Sequence, residues 1–193
     1  MKSNINELVD KIAALEKKLL DELDTQQEKF QYHLEGTRVK FEQEILEAHR
    51  KLKIAVLPWL FSSKVRSIIS APFIYYAMIV PILFFDITIT LYQHICFRLY
   101  GIRRVDRSKY IVVDRHQLAY LNGVEKLNCL YCGYGNGVVA YTREVIARTE
   151  QYWCPIKHAH RVVGSHRHYN KFADYGDAEH YHTQLIKLRD ELK

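Results

Sequence analysis

Residues 128–159 read NCLYCGYGNGVVAYTREVIARTEQYWCPIKHA, and the folding of this stretch decides what kind of domain the C-terminal half can be. Three of the four cysteines lie in it, as Cys129-x-x-Cys132 and then Cys154-Pro-x-x-His158. Cys-x2-Cys followed by Cys-x3-His carries the ligand types and local spacings of a tetrahedral Cys3His site. The expected metal ligands are therefore Cys129, Cys132, Cys154 and His158, with His160 and His116 as further ligands. Thiolate and imidazole donors suit Zn2+, or alternatively iron or an Fe–S cluster.

Such a site closes only if its two halves meet. Gly133-Tyr-Gly-Asn-Gly137 reads as a breaker-rich loop. Val138, Tyr141, Val145, Thr149 and Tyr152 keep helical spacing, which predicts a helix over 138–152. A straight helix there is roughly 21 Å long and separates Cys132 from Cys154. The glycine loop must then run back along it, or 138–142 must be a strand. Otherwise the cysteines are separate core residues.

Working outward, Tyr110-Ile-Val-Val-Asp114 reads as a strand or extended run, and Arg115 to Asn128 as a helix with Asp114 as N-cap. The tail 177–193 opens on Asp177 as N-cap and carries Leu185, Leu188 and Leu192 on one side of an amphipathic helix. His180 and His182 fall on that helix and diverge, whereas His160, His166 and His168 lie in an irregular basic segment.

Upstream lies APFIYYAMIVPILFFDITITLYQHICF, residues 71–97, longer than the ~20 residues that cross a bilayer. Pro72, Pro81, Asp86 and His94 interrupt it, and basic residues flank it on both sides. Symmetric flanks suit a re-entrant or interfacial hairpin turning near Pro81 and Asp86 better than a single span. Trp59, Phe61, Lys64 and Arg66 stand where an interfacial anchor belongs, and Asp86 and His94 complete the membrane-associated set.

The first 53 residues are highly charged. Ile5, Leu8, Ile12, Leu15 and Leu19 alternate steps of three and four, the seam of a coiled coil, resuming at Phe30, Leu34, Thr37, Phe41, Ile45, Ala48 and Leu52. One helix of about 50 residues follows, too long to stand alone, so a homo-oligomer is expected. The fold class expected is mainly α in four parts: 1–56 coiled coil, 57–101 membrane segment, 102–176 metal-site domain and 177–193 terminal helix.

A net charge of +6 gathered beside the apolar stretch points to anionic membrane lipid as partner and not to nucleic acid, for which no module is evident. Four cysteines are too few for a disulfide scaffold, and the charged N-terminus does not read as a signal peptide. No Ser-His-Asp order, phosphate loop or dinucleotide fingerprint stands out.

The strings LNGVEKLNCLYC and ARTEQYWCPIKHA, with the apolar run before them, resemble the signature of an uncharacterised family of bacterial membrane-associated proteins. The resemblance covers roughly residues 70–160. It implies a bacterial cytoplasmic membrane, with most of the chain on the cytoplasmic side, and supplies no activity. Cys-x3-His is also similar to the second half of the ligand set in [2Fe–2S] proteins of the outer mitochondrial membrane, whose first half is Cys-x-Cys. The function expected is an oligomeric membrane scaffold with a structural Cys3His site. The alternatives are an iron redox protein serving a membrane protein partner and a membrane-bound metalloenzyme.

Overall fold

A computed structural model describes residues 2–29, 32–35, 38–62, 69–70 and 73–193. The protein is mainly helical, and the sheet found among the described residues is a two-stranded hairpin. The chain divides into two compact units, Met1–Trp59 with Asp114–Lys126, and Leu60–Val113 with Leu127–Lys193.

In the first unit, α1 (Lys2–Lys29) is followed by β1 (Tyr32–Glu35), β2 (Arg38–Phe41) and α2 (Gln43–Lys51). The expected continuous helix to residue 53 is thus broken by an antiparallel hairpin, with Tyr32 opposite Phe41 and Leu34 opposite Val39. The reason lies in the local pattern. Tyr32-His-Leu-Glu and Arg38-Val-Lys-Phe alternate apolar and polar residues with a period of two, which suits a strand. Leu34 and Phe41 fit a seven-residue seam as well as this alternation, and the alternation wins. Phe30 and Thr37 of the expected seam lie outside the described residues. The hairpin is tied to residues 114–126 by the Val39 N–H donating to Gln117 Oε1 at 3.0 Å. His49 joins them, edge-on to both Phe41 and Tyr120. On α1, Ile12, Leu15 and Leu19 stay exposed.

A short helix α3 (Val56–Ser62) carries Trp59 and Phe61. In the second unit a π-helical turn (Ile74–Met78) leads into α4 (Ile79–Tyr100). The chain does not reverse at Pro81 or Asp86, which corrects the hairpin expectation: both lie inside one continuous helix. Pro81 sits in its first α-helical turn, directly after the π-helical turn. There the missing N–H and the ring's bulk are tolerated.

Gly101 ends α4 at φ +68°, a conformation costly for any residue with a Cβ. Ile102 N–H donates to Phe97 O at 3.0 Å and Gly101 N–H to Arg98 O at 3.3 Å, the paired bonds of a Schellman cap. An irregular connector then leads to α5 (Gly123–Trp153), 31 residues long and about 46 Å.

Gly133 to Gly137 are helical within α5, not a loop. The N-cap of α5 is Asn122, not Asp114. Asn122 Oδ1 accepts from the N–H groups of Val124 and Glu125, and Glu125 Oε2 accepts from Asn122 N–H, closing a capping box. The chain ends in α6 (Ala178–Asp190), with Asp177 Oδ1 accepting from His180 N–H at the N-cap. The core of this unit joins Ile89 and Phe97 of α4, Ile102 and Val105 of the connector, Tyr141 and Val145 of α5, and Leu192.

Candidate functional site

Among the described residues, α4 is the one helix long and apolar enough to cross a membrane, and only 17% of its most apolar window is buried. A core helix of a soluble protein would be mostly covered. Val80, Phe84, Ile87, Leu91, Ile95 and Leu99 are exposed, at steps of three and four along one side. The buried side carries Asp86, Ile89, Gln93 and Phe97. The helix therefore hides Asp86 and Gln93 against protein and shows a run of large apolar side chains outward, the inverse of a soluble amphipathic helix.

That hidden side is a polar seam. Arg107 of the connector grips Asp86 with two bonds, Nε to Oδ1 at 3.0 Å and a terminal guanidinium nitrogen to Oδ2 at 2.5 Å. Tyr134 O–H donates to Oδ2 at 2.8 Å and Thr90 Oγ1 to Oδ1 at 3.4 Å. Burial, reinforced by the bond to the Asp86 carboxylate, pushes the Tyr134 phenol up to about 12. It thus stays protonated as a donor.

Two turns on from Asp86, Gln93 is buried at 3% exposure and holds the connector like a strand partner. Its Nε2 donates to Val105 O at 3.2 Å and to Tyr141 Oη at 2.6 Å, and its Oε1 accepts from Val105 N–H at 3.0 Å. Each buried polar group on α4 thus has partners, as burial requires. Gly137 completes the fit, because a Cβ there would come within 2.8 Å of both Ile111 Cα and Tyr110 O.

A second cluster pins the segment after α5. Burial opposes ionisation of Glu144, but donors from His168, Arg167 and Arg148, at 3.1, 2.6 and 2.9 Å, outweigh it and hold the carboxyl down to about 2. His166 Nε2 meets Glu150 Oε2 at 2.8 Å, and Arg143 bonds the carbonyl of Gly164. Two guanidinium groups on one carboxylate make this a charge-compensated staple.

The predicted metal ligands are not brought together within one chain. Cys129 and Cys132 lie near the start of α5, and Cys154 follows its last residue. Continuous helix puts about 33 Å of rise between Cys132 and Cys154, because the fold-back at Gly133–Gly137 does not occur. A site shared by the two pairs would need ligands from two chains. Among the described residues no group of three or more His, Cys, Asp or Glu side chains is placed to hold a metal ion.

Cys154-Pro-x-x-His158 instead forms a bridge. Lys157 N–H donates to Ala173 O and Ala173 N–H to Pro155 O, both at 2.8 Å. His158 stacks on Tyr169 and donates its backbone N–H to that hydroxyl at 2.6 Å. His160 is exposed, and His116 belongs to the first unit, its Nδ1 buried without a partner.

Of the membrane-anchor residues, Phe61 is exposed and Trp59 half-buried, while Lys64 and Arg66 lie outside the described residues. His94 turns its Nδ1 to Thr90 O at 2.7 Å, away from Asp86. Arg107, Tyr134 and Gln93 carry the seam; the sequence marks Arg107 only as a flanking charge and gives Tyr134 and Gln93 no role. The signal for Arg107 was Asp86 itself, an intrahelical carboxylate that needs a cation. No family model matches the chain, and neither the curated proteins nor the solved structures searched contain a match.

Proposed function

We propose that this protein is an oligomeric, membrane-associated scaffold that meets lipid through the outward side of α4 and other copies of itself through α1. The observation that supports it most is the division of α4 into an exposed apolar side and a buried polar seam. Six large apolar side chains in register on one exposed stripe are costly in water, at about 25 cal/mol per Å2 of apolar surface, and at home in hydrocarbon. Exposed Arg98 in the last turn of α4 adds attraction to anionic headgroups.

The second element is the exposed Ile12, Leu15 and Leu19 seam of α1, which a second copy would cover. The test is fractionation of cells expressing the full chain. Wild type should sediment with membranes and resist alkaline carbonate. The double variant Ile87→Glu, Leu91→Glu, which leaves the seam untouched, should move to the soluble fraction. A wild-type chain found in the soluble fraction would end the reading.

A further inference from the structure

From the arrangement of α4 we infer that it does not cross the membrane but lies along it, with its apolar stripe in one leaflet and both the connector and α5 on the same side. The inference rests on the membrane association proposed above and adds its geometry.

Three observations carry it. The first is the connector. It runs back beside α4, with Val105 bonded to Gln93 and Arg107 to Asp86, so it lies level with the middle of the helix. Its backbone is irregular apart from short 3-10 turns such as Arg107–Lys109, and its Arg103, Arg104, Asp106 and Lys109 are exposed. A bilayer drawn across α4 would place those charges and that open backbone in hydrocarbon. Each charge there costs roughly 3 kcal/mol, and irregular backbone facing lipid is not tolerated at that depth.

The second observation is α5. Gly135 faces Ile82, Thr149 bonds Tyr92 at 3.1 Å, and Tyr152 stacks on Tyr100, so the two helices run parallel along the whole length of α4. The flank of α5 level with Thr90 and Gln93 carries exposed Arg143, with the exposed guanidinium of Arg167 beside it on Glu144. These groups also need water.

The third is the stripe itself. It runs from Val80 to Leu99, the full length of α4, whereas the opposite side is protein throughout. A helix lying in the interface buries one side to a depth of about 5–10 Å and keeps the other wet. With the charged connector and α5 packed on its protein side, α4 divided in this way turns that side towards water.

The exposed thiols provide native reporters. Cys132 stands near the level of the start of α4 and Cys154 near that of its end, about 33 Å of rise apart. That is close to the ~30 Å hydrocarbon thickness. The experiment expresses the full-length Cys132→Ser and Cys154→Ser chains, with the double variant as background. A membrane-impermeant maleimide is applied to sealed right-side-out and inside-out vesicles.

Above the background that Cys96 and Cys129 give in the double variant, the inference expects Cys154 in the first chain and Cys132 in the second to react in the same vesicle orientation, each at least tenfold faster than in the other. Reaction in opposite orientations would mean a transmembrane α4 and overturn it. A chain that fails to sediment with the vesicles would overturn the membrane association itself, and that result is read before any label is added.

Discussion

Gly137 and Gly135 show how much depends on one methyl group. A Cβ at Gly137 would strike the backbone of residues 110 and 111, which cannot swing aside without releasing the connector. Gly137→Ala should therefore destabilise the second unit by about 1–3 kcal/mol. At Gly135 the nearest atom to a Cβ is Ile82 Cδ1 at an ordinary 3.5 Å, so Gly135→Ala should add up to about 1 kcal/mol through helix propensity. Denaturant unfolding in one detergent compares the two, and effects of the same sign would contradict this packing.

Glu144 makes a pH prediction. Its folded value of about 2 lies below the ordinary 4.5, so its contribution is complete above the latter and disappears as pH falls through the former. With the side chain 7% exposed, that contribution is roughly 3 kcal/mol. The stability gap between wild type and Glu144→Gln should be widest near neutral pH and narrow steadily below about pH 4.5. A gap independent of pH would mean that ionised Glu144 is not what binds Arg167 and His168.

At the scale of elements, the second half of α5 was legible because Val138, Tyr141, Val145, Thr149 and Tyr152 recur at helical spacing. Its first half was not, because glycine reads locally as a breaker. Here Gly137 instead lets the connector come close, and that requirement exists only in three dimensions. The same holds for Asp86. Its cost in an apolar helix was evident, but its partner lies 21 residues on, in a segment read as flanking charge.

The two halves of the Cys3His set stand apart within one chain for a related reason: the ligand spacing is local, and the helix between the pairs is one piece. Stability effects of Cys132→Ser and Cys154→Ser should then add, to within about 0.5 kcal/mol, since the two residues are far apart and share no partner. A coupling of more than about 1 kcal/mol would show that the two pairs share a site after all.

For the whole molecule, assembly and membrane contact are assigned to different elements and should separate on mutation. Leu15→Asp with Leu19→Asp, on the exposed seam of α1, should reduce the mass measured by light scattering in detergent to that of one chain. The protein should still sediment with membranes. An unchanged mass would remove α1 as the assembly element.

The central claim, that α4 meets lipid on one side and protein on the other, is tested most directly by a spin-label scan of residues 79–100 in vesicles containing anionic lipid. Oxygen accessibility should rise and fall with helical period, highest at 80, 84, 87, 91, 95 and 99 and lowest at 86, 89, 93 and 97. High accessibility of the first set to an aqueous nickel reagent would contradict the claim, because those side chains would then face water.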